Sequence, residues 1–231
     1  MTNFNIEIVS DTVCPWCFIG HKKLLQAISD YQSTHGTSDT FSTTWKPFYL
    51  DPEAPKIAIS KRERYAARFG EQRMSMMHAR MNEIGEPLGI KFKWGGKTGN
   101  TRDSHRLIQL AKTKSPEMQT KTVEALFAAY FENEEDITDH GVLLAAAKTA
   151  GLDEAEAKRW IVDSDEGGKL VDAEVREAQE RNISGVPHFT LNGRFEVEGA
   201  QDSVAFVRLF ERLAKMEGDE GTAKVEVGSK C

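Results

Sequence analysis

The sequence predicts an α/β fold in which one mixed sheet of four strands is interrupted by a long helical insertion. Three observations predict it. Apolar runs suited to strands stand near both ends, at 4–9, 41–47, 188–192 and 195–199. The stretch from about 60 to 180 is mainly helical in pattern. Neither β-containing end carries enough strands to bury a core alone, so the economical solution joins both in one sheet.

The elements follow in order. Phe4, Ile6 and Ile8 alternate imperfectly with polar residues, and Val9 breaks the pattern as a buried strand can. A helix opens at Cys14-Pro15-Trp16-Cys17, carries Phe18, Leu24, Leu25 and Ile28 at helical spacing, and ends before Gly36. Phe41, Thr43 and Trp45 share one side of the next strand, and Pro47 places its end at an edge or past the ladder. A strand, a helix and a second strand favour parallel pairing. Helical composition resumes from about Ser60 to Glu83, with Tyr65, Phe69, Met76 and Met77 read as packing residues. Ile90, Phe92 and Trp94 alternate through a segment that is either a short strand or an extended loop. Gly95 to Asn100 lacks the spacing of a phosphate-gripping loop and reads as a turn. Thr101, Ser115 (before Pro116), Thr138 or Asp139, and Asp153 (with Glu156) are helix starts. Asn192-Gly193 signals a hairpin of the primed type, and a helix spans about 202–216. The expected organisation is 1–58 and 181–217 as two parts of one α/β domain, 59–180 as an inserted helical domain, and 218–231 as a loosely held tail.

The chemistry concentrates at Cys14 and Cys17. Pro15 suits the first turn of a helix, where its missing N–H is no loss. Cys14 then stands among unpaired N–H groups at the positive end of the helix dipole, which favours a thiolate. Cys17 lies one turn deeper, so the two sulfurs can face each other and exchange electrons with other thiols. Zinc generally takes four ligands, but the only other cysteine is Cys231 and no histidine pair stands at finger spacing. Burial of both cysteines as small hydrophobes is the structural alternative. In the redox reading Cys14, expected to be the more exposed sulfur, attacks, and Cys17 resolves the mixed disulfide. Trp16 either shields the disulfide and meets substrate or packs on the surface.

Composition narrows the class. The chain has 231 residues, a net charge of −6 and 39% hydrophobic residues. Mild acidity argues against nucleic acid and anionic membranes as partners. No apolar run has membrane-spanning length. Met1 to Asn5 lacks the basic start of a secretory leader. Three cysteines do not make a disulfide framework, which fits a cytoplasmic protein.

Four segments carry a resemblance: Cys14-Pro15-Trp16-Cys17-Phe18-Ile19-Gly20, Trp45-Lys46-Pro47-Phe48 with Leu50 and Pro52, Asn100 to Arg106, and Ser184-Gly185-Val186-Pro187-His188-Phe189. Over about 4–215 the chain resembles the DsbA-like branch of the thioredoxin superfamily, specifically the FrnE-like oxidoreductases. It is also similar to the 2-hydroxychromene-2-carboxylate isomerases and kappa-class glutathione transferases. The resemblance implies a thioredoxin fold with a helical insertion. It also implies a cis Val186–Pro187 bond facing the cysteines, with the Val186 backbone free to pair with an extended substrate. Those isomerases and transferases typically have serine at the position of Cys14, so two cysteines here imply dithiol chemistry. Cys231 cannot supply a second redox pair within one chain.

Other residues leave alternatives open. Asn100, Arg102, Asp103 and His105 either contact glutathione or a peptide carboxylate, or serve as cap and ion-pair structure. His21 and His188 either support a Cys14 thiolate or pack as ordinary histidines. The leading expectation is an enzyme, a thiol:disulfide oxidoreductase acting on protein or small-thiol substrates. It has no tightly bound cofactor or metal, and glutathione is a candidate co-substrate. The alternatives are a glutathione-dependent transferase or isomerase, and a redox-regulated binding or chaperone-like protein without turnover. Homodimerisation is a further expectation, resting on the surplus of bulky apolar residues at Tyr65, Phe69, Met76 and Met77.

Overall fold

The computed structural model describes residues 1–227, with side chains through residue 216. Strand β1 (Asn3–Ser10) leads into α1 (Pro15–His35), and Gly36 at φ 84° ends that helix where a side chain would be strained. β2 (Thr40–Pro47) follows and pairs in parallel with β1, Ile8 opposite Trp45 and Ser10 opposite Pro47. The chain then leaves the sheet for β3 (Ile59–Ser60), α2 (Lys61–Phe69), α3 (Glu71–Gly85), a 3-10 turn (Glu86–Leu88) and β4 (Lys97–Thr98). The helices α4 (Arg102–Lys112) and α5 (Pro116–Phe127), a π-helical turn (Ala128–Glu132), α6 (His140–Ala150), α7 (Glu154–Ile161) and α8 (Gly168–Glu180) come next. β5 (His188–Leu191), β6 (Phe195–Glu198) and α9 (Ser203–Val227) complete the described chain. Cys231 lies outside the described residues, as does the end of the expected tail.

The sheet order is β2-β1-β5-β6, with β5 antiparallel to both β1 and β6. Ile8 stands opposite Phe189, so the first and last thirds of the chain share one sheet. Asn192 (φ 48°) and Gly193 (φ 65°) both take the left-handed conformation that the primed hairpin requires. The expected caps form at Ser115, which accepts from Met118 N at 3.0 Å, and at Asp153, which accepts from Glu156 N at 2.8 Å. Asp139 also caps, accepting from Gly141 N at 2.6 Å.

Four local expectations change. The last helix, expected to end near 216, runs on to Val227 into the expected tail. Thr101 begins α4 without a side-chain cap; instead Ser104 Oγ donates to the Thr101 carbonyl at 2.7 Å. The segment 60–83 is two helices, because Gly70 at φ 80° breaks the run. The turn at 95–100 contains β4, which pairs with β3 in a separate ladder of two strands, while 91–95 forms no strand.

The core is continuous from sheet to insertion. Phe4, Ile6 and Ile8 of β1, Phe189 of β5, and Phe206 and Phe210 of α9 pack with Phe127 and Phe131 in one buried cluster. Phe18 of α1 stacks on Phe127 with ring centroids 5.0 Å apart. The insertion also closes the edge of the sheet. Buried Gln119 of α5 accepts from Trp45 N at 3.0 Å and donates to Trp45 O at 3.0 Å, so its amide stands in for a fifth strand on β2. Gln119→Ala strands both backbone groups and is expected to cost about 2–4 kcal/mol. Urea unfolding measures this, and a loss below about 1 kcal/mol contradicts the role.

Candidate active site

Cys14 is the N-cap of α1, with Pro15 in the first turn. Its backbone N–H donates to Asp11 O at 3.0 Å, and its carbonyl accepts from Cys17 N at 3.1 Å, so the turn and the helix start share one hydrogen-bonded frame. Both thiols are free. Both are also buried, Cys14 at 3% and Cys17 at 1% relative exposure, so the expected difference in exposure between the sulfurs is small. Trp16 between them is 38% exposed.

The Cys14 thiol donates to Val186 O at 3.6 Å. The Val186–Pro187 peptide is cis. α1 approaches this loop closely because residue 20 is glycine: a Cβ there would lie 2.9 Å from Pro187 Cγ and 3.1 Å from Phe189 Cζ. Burial, then the hydrogen bond and charge of Cys14, push the Cys17 thiol well above its ordinary range. Hydrogen bonds with the Ser10 side chain and the Asp11 backbone oppose that shift.

Asp11, which the sequence reading did not single out, is 1% exposed and lines the same cavity as Cys14. Its Oδ2 accepts from Leu50 N at 2.8 Å. Its Oδ1 lies 3.4 Å from His105 Nε2 and has no hydrogen-bond partner among the described residues. The cavity is a cleft of about 300 Å³ between the start of α1 and the α2–α3 hairpin. Cys14, Pro15, Trp16, Gly185 and Val186 form one wall; Tyr65, Phe69, Met74, Met77, Met81 and Trp94 form much of the other. Tyr65, Phe69 and Met77, which suggested a dimer interface, therefore line the cleft, whereas Met76 is 67% exposed. The stripe Met74, Met77, His78, Met81 at spacing i, i+3, i+4, i+7 was visible in the sequence, but a core-facing stripe has the same pattern.

The remaining sequence candidates lie outside the cleft lining. His21 is buried, with Nε2 2.8 Å from Glu124 Oε1 and its ring 5.1 Å from Trp45. His188 is buried on β5, 3.8 Å from Glu196. Asn100 Oδ1 accepts from Arg102 N at 2.9 Å. Arg102 is bound by Asp165 and Asp172, which raise its already high pKa. Burial works against the Asp103 carboxylate, but hydrogen bonds from Arg106 and His140 hold it below the usual range. His105 is buried, 3.1 Å from Phe48 O. Beside it, Ser104 Oγ meets Thr12 Oγ1 at 2.8 Å, so this segment braces the turn that carries the cysteines.

A sheet of this order, a CxxC pair at the N-terminus of the following helix and a facing cis-proline loop define a thioredoxin-fold thiol:disulfide oxidoreductase. Residues 5–211 match the DSBA-like thioredoxin domain, and the chain belongs to that family. It is similar to a probable DsbA oxidoreductase from Streptomyces coelicolor, at 25% identity and TM-score 0.81 over 92% of this chain and 90% of that one. The fold is also similar to that of 2-hydroxychromene-2-carboxylate isomerase, at 13% identity and TM-score 0.67 over 93% of this chain and 98% of that one. A third similar structure is the cytosolic disulfide reductase DsbM from Pseudomonas aeruginosa with glutathione, at 16% identity and TM-score 0.57 over 93% and 98% of the two chains. Among the described residues no helix is long and apolar enough to cross a membrane.

Two outcomes follow from this geometry. Gly20→Ala forces the Pro187 ring or the Phe189 ring to shift and is expected to cost about 1–3 kcal/mol, read by urea unfolding. The folded Cys17 pKa lies above the unfolded value, so its contribution is intact below about pH 8.5 and is lost as pH rises further. The reduced protein should lose stability across that window, and Cys17→Ala should lose less. Equal losses in both proteins would clear Cys17 as the cause.

Proposed function

We propose that this chain exchanges thiols and disulfides through Cys14 as the attacking sulfur and Cys17 as the resolving sulfur, on protein or small-thiol substrates. The observation that supports the reading best is the pair of free thiols at the start of α1, with Cys14 at the N-cap and against the Val186 carbonyl. The Cys14 thiolate attacks a substrate disulfide, forming a mixed disulfide and releasing one substrate thiolate. Cys17 then gives up its proton and attacks the Cys14 sulfur, releasing the second thiolate and leaving the Cys14–Cys17 disulfide. Two electrons have passed to the substrate; the reverse sequence oxidises a dithiol.

Val186 has a second use in this scheme. Its carbonyl accepts the Cys14 S–H at rest. Once that proton leaves, the carbonyl is available to a backbone N–H of an extended substrate, in a strand-like contact beside Pro187. Pro15 and Trp16 complete the substrate side, with Trp16 exposed at its rim. Asn100, Arg102, Asp103, His105, His21 and His188 take supporting positions rather than substrate contacts, since none lines the cleft. Glutathione is the proposed co-substrate, supported by the fold shared with DsbM, whose structure carries it. The proposed compartment is the cytoplasm, in keeping with three cysteines that make no framework.

Single substitutions test the assignment. Cys14→Ser is expected to abolish attack on glutathione disulfide and on a disulfide peptide. Cys17→Ser should accumulate a covalent adduct at Cys14, seen by mass spectrometry, and Cys231→Ser should change neither step. Turnover that survives in Cys14→Ser defeats the assignment, and full turnover in Cys17→Ser points instead to monothiol glutathione chemistry.

A further inference from the structure

The cleft beside Cys14 is graded in polarity. At its buried end stand the Cys14 thiol and the Asp11 carboxylate. Much of the lining is apolar, with buried Met74 and Met81 beside Phe69, Met77 and Trp94 in the same cleft. The polar atoms of that wall are largely turned to partners within the protein. Tyr65 O–H is paired with Tyr130 O–H at 3.1 Å, Thr98 Oγ1 accepts from Tyr130 at 2.9 Å, and Trp94 Nε1 donates to Asn82 at 3.0 Å. His78 stacks on Trp94 with centroids 4.1 Å apart, and burial lowers its pKa, which favours the neutral ring.

Two arginines line the same space. Arg64 is neutralised, its Nε donating to Asp51 Oδ2 at 3.0 Å. Arg68 is exposed and has no carboxylate partner among the described residues; its guanidinium lies 5.4 Å from the Phe69 ring centroid. The lining of one apolar slot thus holds an exposed, unpaired cation and, among its buried residues, the reactive thiol and a carboxylate. That order fixes the polarity of an occupant: its sulfur goes inward, an apolar or aromatic body fills the middle, and an anionic group stays outward, away from Asp11 and beside Arg68. The volume fixes its size, since about 300 Å³ lies at the low end of small-molecule sites.

Building on the thiol:disulfide reading, we infer that the preferred substrate is a small disulfide of an amphipathic thiol, with an apolar or aromatic body and a carboxylate or other anionic group at its far end. Cys14 attacks the nearer sulfur, one amphipathic thiolate leaves, and resolution by Cys17 releases the other. The two electrons come from the protein dithiol, and the substrate disulfide is the oxidant.

Stopped-flow rates for the reduced full chain test this with four probes: dithiobis-nitrobenzoate (aromatic, anionic), dithiodipyridine (aromatic, neutral), cystamine (aliphatic, cationic) and a disulfide-bridged peptide. Each rate is divided by that of N-acetylcysteine with the same probe, which removes the probe's intrinsic reactivity. The anionic aromatic disulfide is expected to rank first, by a margin that shrinks at high salt. Arg68→Gln should lower the anionic-to-neutral ratio by about two- to fivefold, and Arg68→Glu by about tenfold. Met77→Asn should lower the aromatic-to-cystamine ratio. The inference is overturned if the peptide or cystamine ranks first, or if Arg68→Glu leaves the anionic-to-neutral ratio unchanged. The underlying reading fails separately, if no probe forms a disulfide with Cys14.

Discussion

The contact between the first two turns of α1 and the loop at 185–189 is the constraint on which the rest of the structure depends. Cys14 meets Val186, and the bare Cα of Gly20 meets the Pro187 ring. These partners lie more than 160 residues apart in sequence, and they are brought together by the pairing of β1 with β5. The helix start supplies the orientation of the thiol, and the loop supplies the carbonyl opposite it. Neither half of the chain contains a site without the other, so the sheet is the device that assembles the chemistry.

The insertion is part of that device. α5 closes the open edge of β2 through Gln119, and Phe127 and Phe131 continue the core that begins at Phe4. α4 reaches the active-site turn twice, through Ser104 to Thr12 and through His105 to Asp11 and Phe48. Arg102 and Arg106 fasten α4 to α8 through Asp172, and to the α7–α8 connection through Asp165 and the carbonyls of Ser164 and Glu166. A dense set of charges that resembles an anion-binding patch in the sequence is therefore occupied by internal partners. Arg106 is buried, so removing its partners leaves a buried charge unmatched, and charged residues of this kind read as structural once their partners are visible.

What was legible in the sequence was what depends on local pattern. The zoning of strands, helices and strands placed the sheet, Asn192-Gly193 placed the hairpin, and Ser115 and Asp153 placed two helix starts. The cysteine pair was legible because its motif carries a geometry with it, and the cis-proline loop only through the resemblance to a known family. The ladder of β3 and β4 was not, because two residues are too few to show a period. The cleft wall was not legible either. Met74, Met77 and Met81 recur at the spacing of any core-facing helix stripe, and nothing local reveals that the facing surface is a cavity beside Cys14. Asp11 was hidden for a related reason: a single acid beside a turn is ordinary until its burial and its partner His105, far along the chain, are known.

Burial of both thiols has a consequence for selectivity. A solvent-facing thiolate reacts with any disulfide that reaches it, and discrimination then rests on the reactivity of the partner alone. Here Cys14 and Cys17 are both almost fully covered, and Cys14 borders the cleft formed with α2 and α3. A disulfide that occupies that cleft stands against Tyr65, Phe69, Trp94 and the methionines when it meets Cys14. Methionine suits such a wall, because its unbranched, polarisable side chain can repack around occupants of different shape. The same helical insertion that meets the sheet edge at Trp45 thus also supplies the cleft wall beside Cys14.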